Sequence, residues 1–391
     1  MSIICTAPWN AISVTNNGIK LCCNSLVDVE TDDGSRATLE DINSIRTGSF
    51  YKKVKDDLLS GVKNTACDRC WNMEPDSFRT HFNRKYKDSY DILCSETPDI
   101  LPIEHMYIDI GSTCNLNCRM CDPNSSSMIQ REWENNSHPL GHSGSLNVIA
   151  SDKTTHNTLK DPHFLQFIKD NHKSLKVLYI YGGEPFIILE DHINFLQLLI
   201  DLGVSKNISI EYSTNGTNTN KRRFEEIWSK FKSISISISI DGMNECYDYI
   251  RWPNTWEKAE NSLDYYSNLN KQSDNINVSL ACTLQILTAD SLSTFRKHIE
   301  EKYGFGITFI PVDYPGEFSL KGLPLDVLEK VYDENNDERI RASFKHYIDN
   351  YNKSESQKVF EDFLKVSLWQ DEYRKQNLYD FFPEIKNWFK E

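Results

Sequence analysis

The sequence predicts an α/β protein with a partial (βα)6 barrel, a small cysteine-rich β-hairpin module before it and a helical C-terminal extension after it. Six short apolar runs follow one another from about residue 105, and amphipathic segments separate them, as in parallel βαβ units. Cysteines crowd the chain before residue 75, which predicts the front module. We expect three parts, at residues 1–100, 101–320 and 321–391.

The front of the chain has the pattern of a hairpin. The runs AISV and IKL flank a turn at Asn16, Asn17 and Gly18. Two adjacent cysteines end the hairpin and a C-x2-C pair follows some forty residues later, so four thiolates can meet. Zinc and an iron–sulfur cluster both accept such a set, and zinc is the commoner partner of a bare C-x2-C pair. The cysteines concerned are Cys5, Cys22, Cys23, Cys67 and Cys70.

The barrel prediction depends on strands separated by helices. Segment 233–240, SISISISI, alternates isoleucine with serine, which indicates one apolar face and one face of small hydroxyls. Serines that point inward are typical of a barrel that holds a polar ligand, and the alternative is an edge strand with a solvated face. Gly203 follows a helical pattern where a C-cap is expected. The predicted strands are 105–110, 175–181, 207–213, 233–240, 276–286 and 306–312.

Composition limits the classes of function. The 391 residues carry a formal charge of −14, and a dispersed acidic surface argues against non-specific nucleic-acid binding. The mean hydropathy is −0.54, no run of about 18 apolar residues occurs, and the first residues lack a signal-peptide pattern, so we expect a cytoplasmic protein with no membrane partner. Eleven cysteines in a reducing compartment indicate metal or redox chemistry rather than disulfides.

A cysteine motif follows the first barrel strand. Cys114, Cys118 and Cys121 are spaced C-x3-C-x2-C. Structural zinc sites are closed by four protein ligands, whereas three thiolates hold three irons of a 4Fe-4S cluster and leave the fourth open to an exchangeable ligand. The position after a strand corresponds to the barrel mouth, where active sites lie. The motif predicts a catalytic cluster.

This loop, CNLNCRMC, resembles the radical SAM superfamily. The resemblance implies that S-adenosylmethionine (SAM) is the fourth ligand, that the cluster cleaves it reductively, and that the resulting 5′-deoxyadenosyl radical abstracts hydrogen from a substrate. Motifs after the next strands agree with the family in order. The GGEP motif implies that Glu184 binds the amino group of SAM, and the later strand ends imply ribose and methionine contacts. The implied SAM-binding residues are Gly182, Gly183, Glu184, Pro185, Ser213, Thr214, Asn215, Ser239, Asp241 and Arg251.

The front cysteines resemble the SPASM and twitch modules of radical SAM enzymes, which carry auxiliary 4Fe-4S clusters. Here the module precedes the barrel rather than following it, and the number of grouped cysteines favours the one-cluster twitch form. Either Cys22 or Cys23 is the hairpin ligand, and Cys94 is a substitute. The alternative for this region is a structural zinc site.

The predicted function is a radical SAM enzyme that acts on a peptide or protein side chain and takes electrons from a reductant such as flavodoxin or ferredoxin. One alternative is a radical SAM oxidase or rearranging enzyme for a nucleotide or carbohydrate. An alternative from another class is a zinc-stabilised binding module without catalysis. No catalytic acid or base is identified, because Asp109, Glu211 and Asp313 near strand ends are equally plausible as structural carboxylates.

Overall fold

In the part of the chain that the structure describes, eight strands form one open sheet, in the order β2-β1-β3-β4-β5-β6-β7-β8. We describe it from a computed structural model, which covers residues 5–15, 18–25, 27–72, 78–96, 98–141, 157–217, 222–312 and 314–390. All six predicted barrel strands are present, which confirms the α/β fold. The strands are β1 (Ala11–Thr15), β2 (Gly18–Lys20), β3 (His105–Asp109), β4 (Val177–Tyr181), β5 (Ser209–Thr214), β6 (Ser233–Ser239), β7 (Ile276–Leu284) and β8 (Ile307–Pro311).

The N-terminal hairpin is part of this sheet. β1 pairs antiparallel with β2, as predicted, and its other edge pairs in parallel with β3, from Ala11 opposite His105 to Val14 opposite Ile108. An isolated two-stranded hairpin is marginally stable, and β1 is buried along most of its length, so it needs a neighbour on each side. The turn residues Asn16 and Asn17 lie outside the described residues.

The alternation predicted for β6 is confirmed. Its isoleucines are buried and its serines are half-buried along the strand. β6 lies between β5 and β7, so it is not an edge strand. One face of β6 therefore packs into apolar core, while the opposite face presents a row of hydroxyls.

Helices connect and cover the strands. Gly203 has a φ of +73° just after the helix Leu189–Asp201, the left-handed conformation expected of a glycine that ends a helix. The C-terminal part is helical, as predicted. Within the described residues the helices are α1 (Ala7–Asn10), α2 (Ser49–Leu59), α3 (Asp68–Asn72), α4 (Phe78–Lys85), α5 (Lys87–Ser95), α6 (Ser127–Asn135), α7 (Pro162–Asn171), α8 (Leu189–Asp201), α9 (Arg222–Trp228), α10 (Asn244–Ile250), α11 (Trp256–Gln272), α12 (Leu292–Tyr303), α13 (Leu325–Glu334), α14 (Glu338–Asp349), α15 (Lys353–Arg374) and α16 (Leu378–Phe381).

The chain divides into two compact units. The first unit comprises Met1–Gly111, His156–Tyr212 and Lys221–Ile234, and the second comprises Ser112–Thr155, Ser213–Asn220 and Ser235–Glu391. The three-part division at residues 100 and 320 stays a prediction. No helix in the described part of the chain is both long enough and apolar enough to span a membrane.

Candidate functional site

The C-x3-C-x2-C loop lies in the second unit, directly after β3 in the sequence. Cys118 is buried, and Cys114 and Cys121 are partly exposed. Burial raises the pKa of the Cys121 thiol, and the neighbouring Asp122, Cys118 and Cys114 raise it further. The three thiols of the loop therefore influence one another electrostatically.

Polar groups surround these sulfurs. The backbone N–H of Leu116 donates to Sγ of Cys114 over 3.5 Å, and Nδ2 of Asn215 approaches the same sulfur at 3.8 Å. Asn215 also donates to Oδ1 of Asn115 at 2.9 Å, so the residue that follows β5 holds the start of the cysteine loop. Of its predicted neighbours, Ser213 is half-buried and Thr214 accepts a hydrogen bond from the N–H of Gly216.

A buried ion pair reaches the middle cysteine. Arg251 contacts Oδ2 of Asp241 through Nε at 2.7 Å and Nη2 at 2.6 Å, while its Nη1 donates to Sγ of Cys118 at 3.6 Å. The other oxygen of Asp241 accepts hydrogen bonds from the N–H and hydroxyl of Thr283. Burial raises the pKa of the Cys118 thiol, and the guanidinium opposes that rise. Asp241 thus orients Arg251 towards a sulfur. Ser239 ends β6 half-buried.

Helix α15 holds the cysteine loop through buried contacts with Arg119. The sequence motifs do not predict a role for this helix. Arg119, which follows Cys118, is fully buried and its Nη2 lies 2.5 Å from Oδ1 of Asp371. Its guanidinium also donates to the carbonyl oxygens of Tyr249 and Ser367. Burial lowers the pKa of Arg119 to about 10, so it stays charged at neutral pH.

A second buried ion pair joins the same helix to α6. Nη2 of Arg374 lies 2.9 Å from Oε2 of Glu132, and both side chains are fully buried. That carboxylate oxygen also accepts a hydrogen bond from Nδ2 of Asn117, the residue before Cys118. The loop is therefore tied to α15 on both sides of its middle cysteine. The only sequence signal for this arrangement is the arginine inside the cysteine motif.

Replacing Arg374 by methionine is expected to destabilise the second unit by about 3–5 kcal/mol, because Glu132 is left as a buried charge without its partner. The measurement is the thermal unfolding midpoint of the reduced apoprotein. Lys345→Met is the matched control, since Lys345 pairs with Asp349 on the exposed face of α14, and its midpoint should equal that of the wild type. Equal midpoints for both variants would contradict a tie between α15 and the loop.

The GGEP motif follows β4 in the first unit. Gly182 has a φ of +130°, and a Cβ atom there would lie 2.7 Å from both the Asp109 carboxylate and the carbonyl oxygen of Gly111, so only glycine is accommodated. The N–H of Gly183 donates to the same carbonyl oxygen of Gly111 at 2.7 Å. Gly182 is thus required by packing within the first unit.

The acidic residue of the motif is fully buried. Oε1 of Glu184 accepts a hydrogen bond from the N–H of Phe186 at 3.2 Å, within its own turn. The carbonyl oxygen of Pro185 accepts a hydrogen bond from Nδ1 of His192, whose Nε2 contacts the hydroxyl of Tyr212 at 3.0 Å. These contacts fix the turn after β4.

Four of the five front cysteines line one cavity in the first unit. Asn24 donates to Sγ of Cys70 at 3.8 Å, and the N–H of Ala7 donates to the thiol of Cys5. The buried guanidinium of Arg79 lines the same cavity, where its positive charge complements thiolates. Burial raises the pKa of Cys67 to about 12. The four cysteines are Cys5, Cys22, Cys67 and Cys70.

The remaining candidates lie elsewhere. Cys23 lines a different cavity of the first unit, and Cys94 is exposed on α5. Asp109 accepts a hydrogen bond from the N–H of Gly111, and Glu211 pairs with Lys85. Asp313 lies outside the described residues. Spacing alone cannot separate Cys22 from Cys23, because the two are adjacent in the sequence.

Both thiol groups suit iron–sulfur ligation by their chemistry. Each consists of cysteines close to one another, with N–H donors on the sulfurs and an arginine beside them. Hydrogen bonds to sulfur and neighbouring charge are the means by which proteins set the potential of such clusters. Among the described residues, no three His, Cys, Asp or Glu side chains are arranged around one point to hold a single metal ion.

Residues 108–283 match the family model described as the Radical SAM superfamily. The matched segment runs from β3 to β7 and contains the cysteine loop, the GGEP motif, Asn215, Asp241 and Arg251. Residues 108–283 are therefore similar to the radical SAM superfamily, as the motifs in that segment predict. No curated protein matches the sequence.

Solved structures show weak likeness. The structure described as native anSMEcpe with bound AdoMet is 19% identical with a TM-score of 0.40, and the match covers 60% of this chain and 58% of that one. Streptococcus suis SuiB bound to precursor peptide SuiA is 14% identical with a TM-score of 0.40, covering 72% of this chain and 57% of that one. This chain thus spans less than two thirds of the length of either structure.

Proposed function

We propose that this protein is a radical SAM enzyme whose catalytic 4Fe-4S cluster is held by Cys114, Cys118 and Cys121. The observation that carries the proposal is the C-x3-C-x2-C loop of a radical SAM domain, with N–H donors aimed at two of its sulfurs. A cluster with bound SAM supplies a 5′-deoxyadenosyl radical, which abstracts hydrogen from carbon that acid–base chemistry does not activate.

Residues around the loop have separate roles in this proposal. Arg251, held by Asp241, places positive charge beside the Cys118 sulfur, where it stabilises the more negative, reduced cluster. Asn215 orients the Cys114 end of the loop. We assign Glu184 to the amino group of SAM, and the Ser213, Thr214 and Ser239 positions to its ribose and methionine, on the family resemblance.

We also propose that Cys5, Cys22, Cys67 and Cys70 hold an auxiliary 4Fe-4S cluster, as in twitch modules. Their common cavity and the buried Arg79 support a negatively charged centre there. The substrate class we propose is a peptide or protein side chain, because the enzymes that this front module resembles include ones that modify residues of peptides and proteins. A flavodoxin or ferredoxin type of reductant supplies the electron.

Anaerobic reconstitution with iron and sulfide tests the function directly. We expect a brown protein that, with dithionite and SAM, forms 5′-deoxyadenosine and methionine. A protein that stays colourless, binds zinc and leaves SAM intact would instead be a zinc-stabilised binding module.

Glu184→Gln is expected to weaken SAM binding by about 1.5–3 kcal/mol, the contribution of a charged hydrogen bond. Glutamine keeps the shape and the oxygen that accepts from the N–H of Phe186, so the turn is preserved. Equilibrium dialysis of SAM against the reconstituted protein measures the change, and iron content should equal that of the wild type. Lost iron with unchanged SAM affinity would contradict the assigned role.

A further inference from the structure

The first unit contains a second cavity, which is lined by none of the cysteines that we propose as cluster ligands. Its volume is about 440 Å³, within the range of roughly 300–1,000 Å³ typical of ligand pockets. We call it the tyrosine cavity, and define it by Cys23, His105, Tyr107, Tyr179, Tyr181 and the Lys85–Glu211 pair.

The sheet builds its aromatic wall by register. Tyr107 on β3 lies opposite Tyr179 on β4, which lies opposite Glu211 on β5, so the three side chains form one row across a single face. The rings of Tyr107 and Tyr179 are 5.9 Å apart between centroids, and His105 stacks on Tyr107 at 4.3 Å. Such a wall favours flat groups.

The Lys85–Glu211 pair in the cavity wall suits an uncharged ligand that forms hydrogen bonds. Nζ of Lys85 and Oε1 of Glu211 lie 2.8 Å apart and both side chains are partly exposed, so the pair offers a cationic donor beside an anionic acceptor. This dipole is complementary to the C=O and N–H of an amide. The pair is neutral overall, which gives a phosphate group no net positive charge to bind.

His105, in the same wall, has a buried ring nitrogen that can still form a hydrogen bond. His105 is 2% exposed, its Nδ1 contacts the hydroxyl of Tyr86 at 2.6 Å, and its Nε2 has no hydrogen-bond partner among the residues that the structure describes. Burial, together with Lys85, holds the pKa of His105 well below its usual range, so the ring is neutral. A buried imidazole nitrogen without a partner is costly unless a ligand completes it.

We infer that the tyrosine cavity is the substrate-binding site, and that it takes a flat, uncharged amide-bearing segment of a peptide rather than a nucleotide or a sugar. The inference rests on the proposed function, which supplies the reaction that a bound peptide would undergo. Cys23 is exposed at this cavity and a hydrogen bond joins it to Tyr107, so its thiol lies against a bound peptide and reports occupancy.

The experiment measures alkylation of Cys23 by iodoacetamide in the reconstituted, anaerobic full-length protein, by mass spectrometry. The probes are a blocked neutral tripeptide amide (acetyl-Gly-Asn-Gly-amide), uridine monophosphate and methyl glucoside, at equal concentrations. Cys94, exposed on α5, is the internal standard. At ten times its Kd the tripeptide should slow alkylation of Cys23 about tenfold and leave Cys94 unaffected.

Glu211→Gln should raise the tripeptide concentration needed for protection about tenfold, because it removes the charged acceptor. Glu190→Gln, in the exposed pair with Arg223 of the same unit, is the control and should change nothing. If Glu211→Gln does not fold, Lys85→Met tests the same pair from the end of α4.

Stronger protection by the nucleotide or the sugar, or no protection of Cys23 by any probe, would overturn the inference. The readout needs no SAM cleavage, so the two proposals fail separately. If 5′-deoxyadenosine forms but no probe protects Cys23, the radical SAM assignment stands and the substrate site in the tyrosine cavity is refuted. If the tripeptide protects Cys23 but SAM is not cleaved, the binding site stands and the radical SAM assignment is refuted.

Discussion

Replacing Cys114, Cys118 and Cys121 together by alanine is expected to abolish reductive cleavage of SAM. The three thiols are the ligands that we assign to the catalytic cluster, and no cluster with an open iron can be held at this loop without them. The measurement is 5′-deoxyadenosine formed under anaerobic conditions with dithionite. The loss should be complete rather than partial, because the reaction requires the bound cluster.

The matched control replaces Cys94, Cys246 and Cys282 by alanine, three cysteines outside both proposed ligand sets. Cys246 donates to the carbonyl oxygen of Leu287, and Cys282 is a buried core residue. This variant should keep its iron and its cleavage of SAM. Continued cleavage by the first variant would refute the assignment of the C-x3-C-x2-C loop.

Cys67→Ala combined with Cys70→Ala should reduce the iron content to about half that of the wild type, if each site holds one four-iron cluster. The substitutions remove two of the four thiols that line the front cavity, and the catalytic loop keeps all three of its cysteines. Reductive SAM cleavage should persist. Unchanged iron with loss of zinc would show that the front site is a structural zinc site.

Single variants of the adjacent pair refine this test. Cys22→Ser should lose the auxiliary cluster, because Cys22 lines the cavity of four thiols, whereas Cys23→Ser should retain it, because Cys23 lines the tyrosine cavity. Iron content with Mössbauer or EPR spectra distinguishes the two variants. The opposite result would make Cys23 the ligand and would place the tyrosine cavity against the cluster itself.

Local patterns in the sequence predicted the strands and the order of the motifs. The alternation in β6 is the periodicity of a half-buried strand. The glycine after α8 adopts the left-handed conformation that ends a helix. Both features depend on residues that are neighbours in the sequence. For the same reason, the order in which the motifs follow successive strands could be predicted before any pairing was known.

Contacts between distant residues were beyond such patterns. Nothing local to β1 indicates that its second edge pairs with β3, about ninety residues later. Arg119 and Asp371 are 252 positions apart, and nothing in the sequence around Arg119 identifies Asp371 as its partner. Cys22 and Cys23 differ only in the side of the chain from which they project, which depends on the packed surroundings rather than on spacing.

The two ion pairs that α15 forms, one with Arg119 of the cysteine loop and one with Glu132 of α6, also set an order of events during synthesis. Ribosomes add about 5–20 residues per second, so Asp371 is made about 10–50 s after Arg119. Throughout that interval Arg119 and Glu132 lack their partners on α15, so they stay in contact with water and cannot be buried as in the folded structure. The packed arrangement of the loop therefore forms only once translation has passed α15.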